Sequence, residues 1–250
     1  MIDSRILQLR EWVMASKHMV VISGAGMSTE SGIADYRSEN GRWRNEALAA
    51  SLARSTFIDQ PEYFWQVFRE SFMTDEFREA VPNAGHRALA KLEQTGVYME
   101  IFTQNVDGLH QEAGSTHVYE MHGNLRQAVC LQGHGTFPLW SFKDPLPRCP
   151  WIGIKGDLCD QILKPAVVLF EEPIFYYIEA FQAVRKCDLL LVVGSSMSVE
   201  PVASLPSYIQ KEKSKIVVVN RTPTECDDIA DLVIRGNAGD ILDKLVSLTK

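Results

Sequence analysis

The sequence predicts an α/β protein: a doubly wound parallel sheet with helices on both faces, carrying a smaller second domain built from two insertions. Short apolar runs of strand length recur at "MVVISGA", "YMEIFTQN", "AVVLF", "DLLLVVGSS", "KIVVVN" and "DLVI", with helical patterns between most of them. The runs are continuously apolar and do not alternate, so the strands are expected to be covered on both sides. Two segments break the alternation, and these supply the second domain.

The chain begins with "MIDSRILQLREWVMASKHM", an amphipathic helix with Ile6, Leu9 and Val13 on one side and Ser4 as its expected cap. Charges interrupt each apolar run, so this is not read as a signal peptide. Residues 39–80 are rich in aromatics, among them Trp43, Phe57, Tyr63, Phe64, Trp65 and Phe68, and read as a helical insertion. Residues 125–164 hold three cysteines, several prolines and little periodicity, and read as a loop-rich insertion held by something other than a core. The expected division is therefore 1–38, 81–124 and 165–250 for the sheet domain, with 39–80 and 125–164 forming the small one.

Composition narrows the functions. Of 250 residues, 46% are hydrophobic and 23% charged, which is ordinary for a globular protein and excludes a disordered or low-complexity chain. A net charge of −7 repels phosphate backbones and anionic lipid, so neither nucleic acid nor membrane is an expected partner. The longest apolar runs fall far short of a membrane span. A cytosolic protein is expected, and five cysteines in a reducing compartment do not suggest a disulfide framework.

The chemistry starts at "VVISGAGMSTESGIADYRS". After the strand, Gly24 and Gly26 let the backbone turn tightly and approach a pyrophosphate, and the following N–H groups supply an anion site. A Rossmann dinucleotide fingerprint would place a third glycine where Thr29 stands, and an acidic ribose ligand about 20 residues on. Both are missing, which disfavours an ordinary dehydrogenase. Small or hydrogen-bonding residues at other strand ends, Ser195 and Ser196 after "VVG" and Asn220 after "KIVVV", offer a nucleotide site of different build. Taken alone, "GAG" fits a tight structural turn equally well.

Several blocks then agree. "GAGMSTESGIADYRS", "TQNVDGLH", "MHGNL", "KPAVVLFEEPI", "VVGSSMSVEP" and "IVVVNRTPTECDDIADLVIRG" resemble, in order and spacing, those of the sirtuins, the NAD-dependent protein deacylases. The resemblance runs from about Val20 to about Leu245 and is loosest over 40–80 and 131–164. It implies a Rossmann-like sheet domain and a smaller helical and zinc-bearing domain, with NAD consumed between them. It further implies an acylated protein lysine as substrate, with nicotinamide and O-acyl-ADP-ribose as products.

Residue by residue, the resemblance makes His122 in "MHGNL" the general base on a ribose hydroxyl, a role that an imidazole titrating near neutrality suits. Asn105 would orient a water or ribose hydroxyl, and Asp107 would hold the nicotinamide carboxamide; capping of the next helix is the other reading of both. Gly24, Ala25, Gly26 and Ser28 would line the phosphates. Ile33 and Tyr36 would shelter the nicotinamide ribose, and Arg37 would meet phosphate or ribose. Asp35, Gln104, Gly194, Ser195, Ser196, Asn220, Arg221 and Ala238 complete the implied NAD set. Proline is usual in the family at Ala34 and phenylalanine at Tyr36.

Family members carry two Cys-x-x-Cys pairs. Here Gly133 stands where the partner of Cys130 is expected, with His134 following, and the second pair is stretched to Cys149 and Cys159. Three thiolates and one imidazole make an acceptable tetrahedral zinc set, structural because it leaves no open position. A metal-free loop is the alternative. Cys187 and Cys226 are expected to be packing residues.

Val168 and Phe170 would line the acyl channel, where Glu171 replaces the family's glycine. Members specialised for acidic acyl groups place a tyrosine three residues before an arginine, and "YFWQVFRES" has Gln66 before Arg69. A neutral acyl group such as acetyl is therefore expected. Two other readings keep the NAD cleft: transfer of ADP-ribose to a side chain or to water, and a module that senses NAD or ADP-ribose without turnover.

Overall fold

A computed structural model describes residues 3–35 and 46–248. Helix α1 (Ser4–Ala15) opens the chain, and its cap is Asp3 and not Ser4: the Asp3 carboxylate accepts from the Arg5 amide at 2.9 Å. Asp3 precedes the first helical residue, where a side-chain oxygen can reach an orphan amide; Ser4 is already inside the helix. Strand β1 (Met19–Ser23) follows. Helices α2 (Glu46–Ser51), α3 (Arg54–Asp59), α4 (Pro61–Phe72) and α5 (Asp75–Arg78) form the aromatic-rich insertion. The chain returns through α6 (Ala84–Gln94), β2 (Met99–Thr103), the short α7 (Leu109–Glu112) and β3 (Val118–Glu120).

Next come β4 (Gly123–Val129), β5 (Thr136–Pro138) and β6 (Lys164–Val167), then α8 (Tyr177–Lys186), β7 (Leu189–Val193), β8 (Lys215–Asn220), β9 (Leu232–Arg235) and α9 (Ala238–Ser247). Among the described residues no helix is long and apolar enough to cross a membrane.

Six strands form one parallel sheet in the order β3-β2-β1-β7-β8-β9. Side chains alternate between its two faces, as the pleat requires. Val21, Ile101, Leu191 and Val219 point to the face covered by α1, α6 and α9; Val20, Ile22, Leu190, Val192 and Val218 point to the face covered by α8 and a 3-10 turn at Val202–Tyr208. Burial on both faces is why these strands read as unbroken apolar runs.

The run "AVVLF" does not join this sheet. Its strand, β6, pairs antiparallel with β4 in a separate three-stranded sheet of order β5-β4-β6. Periodicity reports that a strand is buried but not which sheet it completes. The parallel sheet instead gains β3, three partly buried residues too short to stand out in the sequence. The small sheet and the helical insertion share a core of Leu52, Phe57, Phe64, Trp65, Phe68, Leu125 and Leu163, with the Trp65 indole donating to the Leu163 carbonyl at 3.1 Å. The two insertions thus pack together as a second, smaller domain.

Candidate active site

In the parallel sheet β1 is the strand from which the chain winds both ways: β2 and β3 lie on one side of it, β7 to β9 on the other. A crevice opens at the carboxyl ends of strands at such a reversal, between β1 and β7 here. The glycine turn sits in it. Gly26 donates to the Gly194 carbonyl at 2.7 Å, and a Cβ on Gly26 would lie 2.9 Å from the Gly194 Cα. Gly194 has φ +60, and a side chain there would strike the Met27 amide. The two loops therefore meet backbone to backbone, which only glycine permits.

Asn83 fastens this turn from behind. Its amide donates to the Met27 carbonyl at 2.7 Å and to Ser31 Oγ at 3.0 Å, while its oxygen caps α6 through the Gly85 and His86 amides. Glu30, on the same turn, accepts from the Gly239 amide in the first turn of α9 at 2.7 Å. Residues far apart in the chain thus hold the loop in one shape.

A cavity of about 890 Å³ starts at this turn. Gly24, Ala25, Gly26, Asp35, Gln104, Asn105, His122, Gly194, Ser195, Ser196, Asn220, Arg221 and Ala238 line it among the expected NAD residues, and Val168 and Phe170 line it among the expected acyl-channel residues. Ser28, Ile33 and Asp107 do not reach its wall and stand one layer behind. Tyr36 and Arg37 lie outside the described residues, as does Trp43.

Asn105, buried at the end of β2, donates from Nδ2 to the Gly24 carbonyl at 3.1 Å and to Ser28 Oγ at 3.0 Å. Ser28 Oγ in turn donates to Asp107 Oδ2 at 2.7 Å, and the other Asp107 oxygen accepts from the Leu109 amide at 2.9 Å. Asp107 therefore caps α7 and joins the network at once. Burial raises its carboxyl above the usual range, and these hydrogen bonds partly oppose that rise.

His122 hangs from the β3–β4 connection. Its Nδ1 lies 2.9 Å from the Gln104 carbonyl, which can only accept, so Nδ1 carries the proton and Nε2 is left as an acceptor. Burial lowers its pKa below the ordinary imidazole value, with the bond to Gln104 opposing. Its backbone carbonyl accepts from the Val168 amide at 2.8 Å, tying His122 to the loop after β6. Gln104 also reaches across the crevice, donating from Nε2 to Ser195 Oγ at 3.0 Å.

Sequence reasoning missed two groups. Leu52, Phe68, Phe72, Val106, Val167 and Leu169 form the apolar end of the cavity, although Phe68 stands out in the sequence only as one of the aromatics of the helical insertion. Beneath Asn105 a buried polar layer runs from His110 Nε2 to Ser23 Oγ at 2.9 Å, to Thr103 Oγ1 at 2.8 Å, and on to the Asn105 amide at 3.1 Å. Its signal in the sequence is a Ser and a Thr closing strands that are otherwise apolar.

Glu171 stands at the cavity mouth with φ +75, the left-handed region, which costs a non-glycine residue roughly 1–2 kcal/mol. Arg69, near in sequence to the channel phenylalanines, is not on its wall. Arg69 donates to the carbonyls of Pro145, at 3.1 Å, and Asp144. Gln66 is exposed and bonds Glu70 at 3.1 Å.

Cys130, His134, Cys149 and Cys159 converge, their ligand atoms all within 4.8 Å of one another. Cys130 Sγ lies 3.5 Å from His134 Nδ1 and 3.8 Å from Cys159 Sγ. Tetrahedral thiolates bonded at about 2.3 Å to one zinc would stand roughly 3.8 Å apart, the spacing of Cys130 and Cys159, and small side-chain shifts would bring the whole set onto that ion. Trp151 stacks on His134 with ring centroids 4.0 Å apart. Cys187 and Cys226 are buried in the sheet domain's core.

Comparison with known proteins agrees along the chain. The model of the Sir2 family matches residues 24–201. An NAD-dependent protein deacetylase of Bacillus subtilis is 39% identical over 230 residues, covering 90% of this chain and 92% of its own. An NAD-dependent protein deacylase 2 of Archaeoglobus fulgidus is 39% identical over 255 residues, covering 99% and 97%. A solved Sir2 structure with a deacetylated p53 peptide and 3′-O-acetyl ADP-ribose superposes with a TM-score of 0.86 at 30% identity, covering 97% of this chain and 98% of that one.

Proposed function

Because this chain belongs to the Sir2 family, we propose that it is an NAD-dependent protein-lysine deacylase that releases nicotinamide and O-acyl-ADP-ribose. The observation that carries the reading is one cavity with the glycine turn and β8 end at one side, an apolar channel at the other, and His122 and Asn105 on its wall. A dinucleotide and an acylated side chain can meet there, at the base.

NAD, when bound, supplies an electrophilic ribose carbon with nicotinamide as leaving group. In the turn the Gly24 and Gly26 amides donate to the Val193 and Gly194 carbonyls, so the Ala25 N–H is the one of the three that would face a phosphate, while Ser195, Ser196, Asn220, Arg221 and Ala238 would receive the adenosine half. Asn105, immobilised by Gly24 and Ser28, orients the nicotinamide ribose, and Asp107 acts through Ser28 to hold that arrangement. His122 takes a proton at Nε2 from a ribose hydroxyl while Nδ1 stays bonded to Gln104. Val168 and Phe170 guide the acyl-lysine, and the apolar wall excludes water from the reacting carbon.

In this reading the division expected from the sequence, 1–38, 81–124 and 165–250 for the NAD-binding domain and 39–80 and 125–164 for the small one, moves at one boundary, because β6 belongs with the small sheet. Cys130, His134, Cys149 and Cys159 would hold a structural zinc remote from the chemistry, fixing the loops of the small sheet. The acyl group is neutral: among the described residues Arg221 is the only arginine or lysine on the cavity wall, and it sits at the β8 end.

The test is nicotinamide release from NAD with and without an acetyl-lysine peptide, with the peptide followed by mass. Peptide-dependent release with loss of the acetyl mass is expected. Release without peptide, or an added ADP-ribose mass, would replace the reading with ADP-ribosyl transfer or NAD hydrolysis.

A further inference from the structure

The mouth of the acyl channel is closed by a clasp between segments 116 residues apart. The Glu171 carboxylate accepts from the Ser55 amide at 2.9 Å and from Ser55 Oγ at 3.0 Å, in the first turn of α3. One residue to each side reinforces it. The Arg54 amide donates to the Phe170 carbonyl at 3.0 Å, and the Arg54 guanidinium lies 3.6 Å from Glu172. Glu172 in turn accepts from the Leu169 amide at 2.9 Å and pairs with the buried Lys164 at 2.8 Å, so the loop is fixed to β6 as firmly as to α3.

Both sides of this clasp are cavity wall. Phe170, Glu171 and Glu172 line it from the β6 loop and Leu52 from the residues just before α3. Glu171 holds a left-handed backbone that a glycine would adopt without strain. Its side chain is what a glycine lacks: a carboxylate that spans the mouth.

We infer that Glu171 is a positioning residue that sets the width of the acyl channel's mouth by clasping Ser55, and so governs capture of the acylated peptide and not the chemical step. The inference rests on the deacylase reading for its substrate, but the clasp itself is a matter of geometry. The informative variant is Glu171→Gly, since it removes the clasp while relieving the backbone, so a loss of function in it does not come from added backbone strain. Glu171→Gln keeps an acceptor for the Ser55 amide, and Ser55→Ala keeps the amide but removes the hydroxyl.

The experiment combines steady-state kinetics on an acetyl-lysine peptide with hydrogen exchange at the Arg54 and Ser55 amides. Glu171→Gly is expected to raise the peptide KM about five- to tenfold, the scale of a hydrogen-bonded charge lost at a surface, with kcat within about twofold. The KM for NAD should be unchanged and both amides should exchange faster. Glu171→Gln and Ser55→Ala should fall between, and adding Ser55→Ala to Glu171→Gly should change nothing more. An unchanged peptide KM, unchanged exchange, or a fall in kcat with a parallel rise in the NAD KM overturns the inference. Wild-type protein that ignores the peptide overturns the deacylase reading instead, and exchange then still decides the clasp.

Discussion

His122 Nδ1 donates a hydrogen bond to the carbonyl of Gln104, and the Gln104 side-chain amide donates one to Ser195 Oγ. His122, the proposed base, is thus oriented by the residue that reaches from the end of β2 across the crevice to the end of β7. Its lowered pKa fixes the sign of the pH response. The working form is neutral, so activity is complete above the lowered value and lost as pH falls through it. The acid limb of kcat/KM should lie below 6.5, and His122→Ala should reduce kcat by about 10²–10⁴ while NAD still binds. A limb above 6.5, or full turnover in the variant, contradicts the assignment.

A second pH effect concerns stability. His86 and His110 pack edge to face with centroids 4.8 Å apart, and His86 Nε2 and His110 Nδ1 have no hydrogen-bond partner. Burial lowers His86 from 6.5 to about 4 and His110 well below its ordinary value. The unfolded chain therefore binds more protons between those values. Their contribution is whole above pH 6.5 and is lost as pH falls toward 4, by about 3 kcal/mol for His86. Urea midpoints at pH 7.5 and 5 should show the loss, and His86→Gln should flatten it.

Metal content is a direct check on the small domain. Purified protein should carry about one zinc per chain by elemental analysis. Cys149→Ser should abolish that content and lower the Tm by several degrees, on the order expected when 2–3 kcal/mol is removed from a chain of this size. Retained zinc in that variant would dissociate Cys149 from the site.

The acyl preference can be read from a peptide panel. With Arg69 committed to backbone carbonyls and Leu52, Phe68, Phe72 and Val106 on the wall, acetyl and propionyl lysine should be processed. Succinyl lysine should be slower by about 10² or more, since its carboxylate would be buried without a partner. Equal rates would mean that a cation reaches the channel.

Much of this architecture is written in the sequence, and the gaps have physical causes. Unbroken apolar runs identify β1, β7 and β8, and a run broken only by Glu100 identifies β2, because both faces of each are covered; the strand-end residues Gly24, Asn105, Ser195 and Asn220 follow from them. What local pattern does not encode is partner choice. The run Ala166–Phe170 is as apolar as a sheet-domain strand, yet its first residues belong to β6, which pairs with β4. The layer of Ser23, Thr103 and His110 was hidden for the same reason: each is unremarkable alone, and only the β1–β2 register brings them within hydrogen-bond reach. Glu171 is the opposite case. The sequence flags it as a departure, but its bond to Ser55 depends on a helix more than a hundred residues earlier.

The backbone-to-backbone meeting of Gly26 and Gly194 also bears on the order of assembly during synthesis. The glycine turn emerges from the ribosome early, but the strand that completes its cradle is made only after both insertions and the whole β2–β6 region. Until β7 arrives, β1 has one hydrogen-bonded edge exposed and the turn has nothing to lean on. A nascent chain therefore has no competent nucleotide pocket, and its β1 edge is left unpaired until the last quarter of the protein appears.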